Sequence, residues 1–288
     1  YEKGCKKLCA EFNVPHAGRD KSEPEERFVI AARAAATLIF TGYSSIRLVP
    51  LTEDASNSLL IEQISGDKEL ISGTEFLIHE SDVRETLDTA LFRGGETREW
   101  AHQTYAEFLA AWYASHNLSI PQIKSLIFHP DGKLVPQLHE TSAWIASFKT
   151  EVFDLILETD PEVLLQSDVA TGDEHSKEKL AKGLLEYIDK NPYIYFARKN
   201  LSALKCKNLS AILREIIQDL ARSQDSRSLA INIATACKET YLLDLMVEIA
   251  LNLEESLQLR IEAAQCIVEI GNDESKRSLK PLAVLSLA

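Results

Sequence analysis

Few residue groupings in this chain could do chemistry, and most lack a partner at the spacing that chemistry needs. A phosphate-cradling loop reads Gly-x-x-x-x-Gly-Lys-[Ser/Thr], with backbone N–H groups around the phosphates and a hydroxyl on Mg²⁺. Around Gly132-Lys133, Ile127 stands in the first glycine's place and Leu134 in the hydroxyl's. His79-Glu80 and His139-Glu140 lack the second histidine of a zinc-binding His-Glu-x-x-His helix; Val83 and Ala143 stand there instead. Gly-x-Gly-x-x-Gly and Gly-x-Ser-x-Gly patterns are missing too. The acidic clusters Glu23-Pro24-Glu25-Glu26 and Asp173-Glu174 pair carboxylates, but acid–base work needs an enclosed site that shifts their pKa values. One cluster sits at a helix start and the other in a polar loop, so both read as solvated surface. Cys5, Cys9, Cys206, Cys237 and Cys266 are odd in number, scattered, and form no Cys-x-x-Cys pair, which fits reduced thiols of a cytoplasmic protein. Of the seven histidines only His102, just ahead of an amphipathic run, invites a chemical role. The expectation is a chain with no catalytic residue, no metal site and no cofactor of its own.

The run behind His102 spans Glu99 to Asn117. Ala101, Tyr105, Phe108, Leu109, Trp112 and Tyr113 fall at i, i+4, i+7, i+8, i+11 and i+12, the spacing of one helical face. It holds two of the three tryptophans, and we expect a buried helix around which its neighbours pack. The ordinary reading of His102 is a residue that caps or packs locally at the start of that helix.

Composition bounds the rest. Hydrophobic content of 45% supports real cores, while eleven glycines and nine prolines are few for a turn-rich sheet protein in 288 residues. A net charge of −13 argues against nucleic acid as a general partner and against anionic membranes. No apolar run reaches the roughly 18 residues that would mark a membrane span. The chain opens on Tyr1 and closes on an apolar run, from which we expect a piece of a longer protein.

Along the chain, residues 2–12 read as a helix end and 13–26 as a polar linker. A helix follows, with Ser22 and Glu25 as a capping box around Pro24 and Gly42 as its stop. Residues 44–80 read as irregular with short helices, Ile46–Val49 and Phe76–Ile78 as short extended runs. Asp82 starts a helix reaching Leu91. Leu91 to Trp100 then reads as a hairpin with Gly94-Gly95 at its tip. Short helix, hairpin and long helix make a winged-helix arrangement. After Pro121, helical runs recur at 120–128, 135–148, 151–158, 176–190, 208–223, 226–238, 241–251, 256–271 and 273–288. The unit from Ser256, with Arg260 and Ala263-Ala264, is similar to a HEAT repeat. The expected fold is therefore mainly α: a helical and winged-helix region with a small β-hairpin at 1–118, then an irregular α-solenoid of HEAT-like helical repeats at 119–288. A winged helix could suggest DNA binding, but its helix offers only Arg84, and Arg93 and Arg98 of the wing sit beside Glu96 and Glu99.

The segment His102-Gln-Thr-Tyr105-Ala-Glu107-Phe108-Leu109-Ala-Ala111 resembles a signature of NACHT-type STAND proteins, signal-transducing NTPases that include animal NOD-like receptors and bacterial defence proteins. It departs at Trp100, where the family usually has Phe. The order of the preceding helices fits, as do Asp131–Leu138, Ala143-Trp144 and Asp160–Leu165 downstream. The resemblance covers about residues 1–170; beyond that it rests on architecture. It implies that His102 reaches a phosphate of ADP in the closed state of the full-length protein, with Tyr105, Phe108, Leu109 and Trp112 packing the motif helix. It also implies ATP or ADP with Mg²⁺ in the parent, an upstream NTPase domain of the same chain as partner, a homo-oligomer on activation, and a protein ligand on the solenoid, with anti-phage defence as a setting. Two alternatives stay open: a HEAT-like protein–protein interaction scaffold, and a winged-helix DNA-binding protein.

Overall fold

The computed structural model describes residues 1–12, 22–49, 57–71, 73–167, 172–191 and 200–285, the side chains of 283–285 excepted. Most of the linker expected at 13–26 and the last residues of the expected 273–288 helix lie outside that set. The protein is mainly helical with a small β-hairpin sheet, as its composition suggests. It divides into two compact units, Tyr1–Val152 and Phe153–Ala288. The boundary expected after residue 118 falls inside the first unit, because the helix His139–Phe148 packs back on the central helix Gln103–Asn117.

The first unit opens with α1 (Glu2–Leu8) and α2 (Pro24–Thr41). Pro24 fits the first turn of α2, where its missing N–H is no loss. The Glu23 N–H donates to Glu26 at 2.8 Å, one residue later than the capping box read from sequence. Gly42, in the left-handed region at φ 77°, ends the helix. Residues 44–80 correct the sequence reading. The described residues among them hold strands and no α-helix before Glu80: β1 (Ser45–Arg47) and β4 (Thr74–Leu77), on the runs read as extended, with β2 (Ser58–Leu60), β3 (Lys68–Ile71) and a short 3-10 turn. Strands of three or four residues are too short to show a period; pairing with distant chain makes them.

Next come α3 (Glu80–Leu87), β5 (Phe92–Gly94), β6 (Thr97–Trp100) and α4 (Gln103–Asn117). One sheet runs β2-β1-β6-β5, with β1 parallel to β2 and the β5–β6 hairpin antiparallel. β3 and β4 form a separate hairpin. At the wing tip Gly94 has φ 110°, and a Cβ there would stand 2.3 Å from the Thr97 carbonyl, so only glycine fits. The helix expected from Glu99 starts four residues later. Glu99 and Trp100 belong to β6, where Trp100 pairs with Phe92 and the rings lie 4.3 Å apart. α5 (Ile120–Ile127) and α6 (His139–Phe148) complete the unit.

α2 and α4 pack along each other, and both bury alanines: Ala31, Ala32 and Ala35 on one, Ala106, Ala110, Ala111 and Ala114 on the other. Below them sits a buried ion pair. Arg27 donates to the Cys9 carbonyl at 2.7 Å, the Ser22 carbonyl at 2.5 Å and Glu85 at 2.8 Å, and its guanidinium covers the Phe12 ring. One side chain thus ties α1, the entry to α2, and α3.

α7 (Thr150–Thr159) leads into the second unit, followed by α8 (Pro161–Gln166), α9 (Glu174–Lys190), α10 (Leu209–Gln218), α11 (Gln224–Ala236), α12 (Leu243–Leu251), α13 (Leu257–Ile270), α14 (Asp273–Arg277) and α15 (Lys280–Leu285). α9, α11 and α13 lie side by side in one layer, while α10 packs on α11 and α12 on α13. Serine or asparagine caps start α11, α13 and α14: Ser223, Ser256 and Asn272 accept from the backbone N–H three residues on.

Glu85→Ala should leave Arg27 as a buried, uncompensated cation and cost about 3–5 kcal/mol. All three tryptophans lie in the first unit, so urea unfolding followed by tryptophan fluorescence reads that unit alone. An unchanged midpoint would show that the pair contributes nothing.

Candidate functional site

His102 stands between two elements that fix it from both sides. Ahead of it, the Ala101 N–H donates to the Leu91 carbonyl at 2.9 Å, continuing the β5–β6 pairing. Behind it, α4 begins, with His102 as its extended N-cap residue. Its side chain makes no capping hydrogen bond, so the local-cap role open at the sequence level is not the one it plays. The ring is exposed and meets Tyr105 edge-on, centroids 5.6 Å apart. The N–H groups of a helix's first turn have no partner within the helix and lie at the positive end of its dipole. Gln103 and Thr104, beside the histidine, are exposed. One imidazole at a helix start suits one phosphate group and is no cradle for a whole nucleotide. The nearby indole of Trp100 is buried, and its Nε1 has no hydrogen-bond partner.

The motif residues behind His102 divide by burial. Phe108 and Leu109 are in the core, each contributing about 1.5–3 kcal/mol of burial. Tyr105 and Trp112 are only half-buried. The stripe read from sequence is therefore shifted: the alanines of α4 fill most of its buried face, and its large aromatics lie along the edges. Phe108 meets Trp144 of α6 edge-on at 5.1 Å. Trp112 meets Phe28 of α2 edge-on at 4.9 Å and stacks on His116 at 4.2 Å. Burial holds the Glu107 carboxyl above the usual carboxylate range, opposed by a hydrogen bond with Gln103 and reinforced by Glu140.

Trp112 and Phe28 also line a cavity of about 360 Å³ with Lys6, Leu70 and His116. At its edge Glu69 is buried, accepting from Arg33 at 2.9 Å and from the Tyr113 hydroxyl at 2.6 Å. Sequence reading missed this network because its members come from α2, β3 and α4.

Three arginines of the expected winged helix are engaged. Arg84 donates to the Leu48 carbonyl and to Glu80, Arg98 pairs with Asp88, and Arg93 lies 3.7 Å from Glu99. Among the described residues no group of three or more His, Cys, Asp or Glu is placed to hold a metal ion, and no helix is long and apolar enough to cross a membrane.

The five cysteines are free and buried. Burial pushes the Cys5 thiol up to about 11 and those of Cys9 and Cys237 to about 12, from an ordinary 9.0. Burial and the hydrogen bond to Glu69 push the Tyr113 phenol to about 12. For each group the folded pKa exceeds the unfolded one, so its stabilising contribution is intact below about pH 9 and is lost as pH rises towards 12. A thiol reagent at about pH 8 should label the native protein slowly and all five cysteines quickly after denaturation. Urea midpoints should fall between pH 9 and 12. Fast native labelling, or a flat alkaline profile, would contradict this burial.

No protein-family model, no curated protein and no solved structure matches this chain.

Proposed function

We propose that this chain is the non-catalytic, C-terminal regulatory part of a NACHT-type STAND NTPase. In this reading the first unit answers to a nucleotide held by an upstream NTPase domain, and the second unit takes a protein ligand. The observation that supports it best is the setting of His102: an exposed imidazole at the N-cap of a 15-residue helix, held in place by the wing on one side and the central helix on the other. A phosphate placed there gains one imidazole donor and the free N–H groups of the helix start. The remainder of the cradle, with Mg²⁺, belongs to the parent's NTPase domain. ATP or ADP there would supply a phosphate whose presence or absence changes the charge facing His102. Because β6 and α4 leave only Ala101 and His102 between them, a pull on the histidine is a pull on both elements, which is how a two-state element passes a signal on. The family resemblance adds oligomerisation of the parent on activation, a cytoplasmic setting and a defence role.

The 33-residue step between helix pairs of the second unit, described below, favours a second reading, a HEAT-like scaffold without a switch. Sequence upstream of Tyr1 separates the two: a phosphate-cradling loop within about 300 residues supports the switch. Winged-helix DNA binding is the weaker alternative, since Arg84, Arg93 and Arg98 each face a carboxylate.

His102→Ala in the full-length protein should speed ADP loss about tenfold, the worth of one hydrogen bond to a charged group, and raise basal signalling. Unchanged nucleotide retention together with unchanged basal output would reject the role. The isolated chain should bind no ADP in either form.

A further inference from the structure

The second unit repeats itself at a step of 33 residues. Leu209, Glu215, Ile216, Ser223, Arg227 and Ala230 recur as Leu242, Glu248, Ile249, Ser256, Arg260 and Ala263. The structure repeats the arginine's backbone bond at this step. Arg227 Nε donates to the Ile217 carbonyl at 2.8 Å, and Arg260 Nε to the Ala250 carbonyl at 3.3 Å.

The outer face of α13 breaks the pattern. Leu257, Ile261 and Val268 are 68%, 47% and 62% exposed, and with half-buried Ala264 they fall at i, i+4, i+7 and i+11, one apolar stripe. At the equivalent places α11 carries Gln224, Ser228, Ile231 and Thr235, and there α13 covers it. Ser228 and Ile231 are buried, and Gln224 Nε2 donates to Gln258 at 3.4 Å. A polar latch secures that step. The Arg227 guanidinium forks onto Glu255 at 3.1 and 2.5 Å, and Glu255 immediately precedes the α13 cap Ser256. Arg260 occupies the same place one step on, and its two terminal nitrogens meet no carboxylate among the described residues. The exposed stripe of α13 is apolar and lies beside an arginine that uses only its Nε.

We propose that this face of α13 docks one kind of partner, an amphipathic helix with a carboxylate one residue ahead of its N-cap. The carboxylate takes the Arg260 fork and the apolar side covers Leu257, Ile261, Ala264 and Val268. The segment from Glu255 to Ile270 is such a helix, since it fills the equivalent place on α11. This locates the protein ligand proposed for the second unit and uses no part of the nucleotide reading, so its failure would leave the role of His102 as it stood.

A fluorescent peptide of residues 254–271 is the probe. It carries its own cap, Ser256, and is titrated into the intact 288-residue chain by anisotropy. Saturable binding is expected with a Kd below about 1 mM. Val268→Asp in the chain should weaken it about tenfold or more; the residue is exposed, so the variant should melt as the parent does. Arg260→Gln in the chain, or Glu255→Gln in the peptide, should each weaken it about tenfold, and the two together no more than either alone. No saturable binding by about 1 mM, or binding indifferent to Val268→Asp or to the charge changes, overturns the proposal. Self-association of the unmodified chain in sedimentation, abolished by Val268→Asp, makes a second copy the occupant and overturns it too.

Discussion

The close approach of α2 and α4 is the constraint from which the first unit follows. Helix axes sit 8–10 Å apart according to the side chains between them, and here both helices bury alanines. Small side chains permit contact along most of both helices, but each alanine supplies little apolar area. The large residues must therefore work at the margins of the seam. Phe28 meets Trp112 on one margin, and Phe108 meets Trp144 and Phe148 on another. This explains why α6 belongs with the winged-helix region: α4 presents Phe108 to it, and without α6 that ring would face water.

The two units share a polar device. Arg27, Arg33, Arg227 and Arg260 each donate Nε–H to a backbone carbonyl, those of Cys9, Ile64, Ile217 and Ala250. The first three complete the guanidinium with carboxylates: Glu85, then Glu69 with Asp67, then Glu255. The planar fork caps a carbonyl at a helix end or turn with its Nε–H while its terminal nitrogens hold a second element, in a fixed geometry that a lysine's flexible ammonium lacks. A buried arginine without its acid leaves charge uncompensated, so the fold brings a carboxylate from a different element each time. Arg260, less buried than Arg27 or Arg227, escapes that requirement within the described residues.

What the sequence made legible follows from the range of the forces involved. The body of α4 and the Gly94-Gly95 hairpin show themselves locally, one through helical spacing and the other through backbone that only glycine allows. The start of α4 does not, because Glu99 and Trp100 are recruited into β6 by Phe92 across the hairpin. β1 and β4 showed only as short extended runs at Ile46–Val49 and Phe76–Ile78, and β2 and β3 not at all, for the same reason. β1 pairs with β2 and β6, and nothing in Ser45–Arg47 alone announces either neighbour. The 33-residue repeat hid differently. Some of its core positions keep identity, as Leu209 and Leu242 do, but others keep only volume: Ile212 becomes Leu245 and Leu213 becomes Met246, exchanges a core accepts readily. The cap serine and the arginine, where geometry needs a particular group, are kept as well.

The candidate site was legible in position and not in mechanism. His102 could be placed near a helix start from sequence, though not at the N-cap it occupies, and its freedom from local hydrogen bonds depends on what surrounds it. A capping histidine would have turned its ring back onto the first turn of α4. Here Tyr105, one turn on, offers its ring edge-to-face, and the imidazole nitrogens stay free of local partners. With Trp100 sealed against Phe92 on the preceding strand, the chain on either side of the histidine is immobilised by packing while the ring itself stays open to solvent. A side chain that is rigidly mounted and chemically idle within its own unit is suited to a group supplied from outside it.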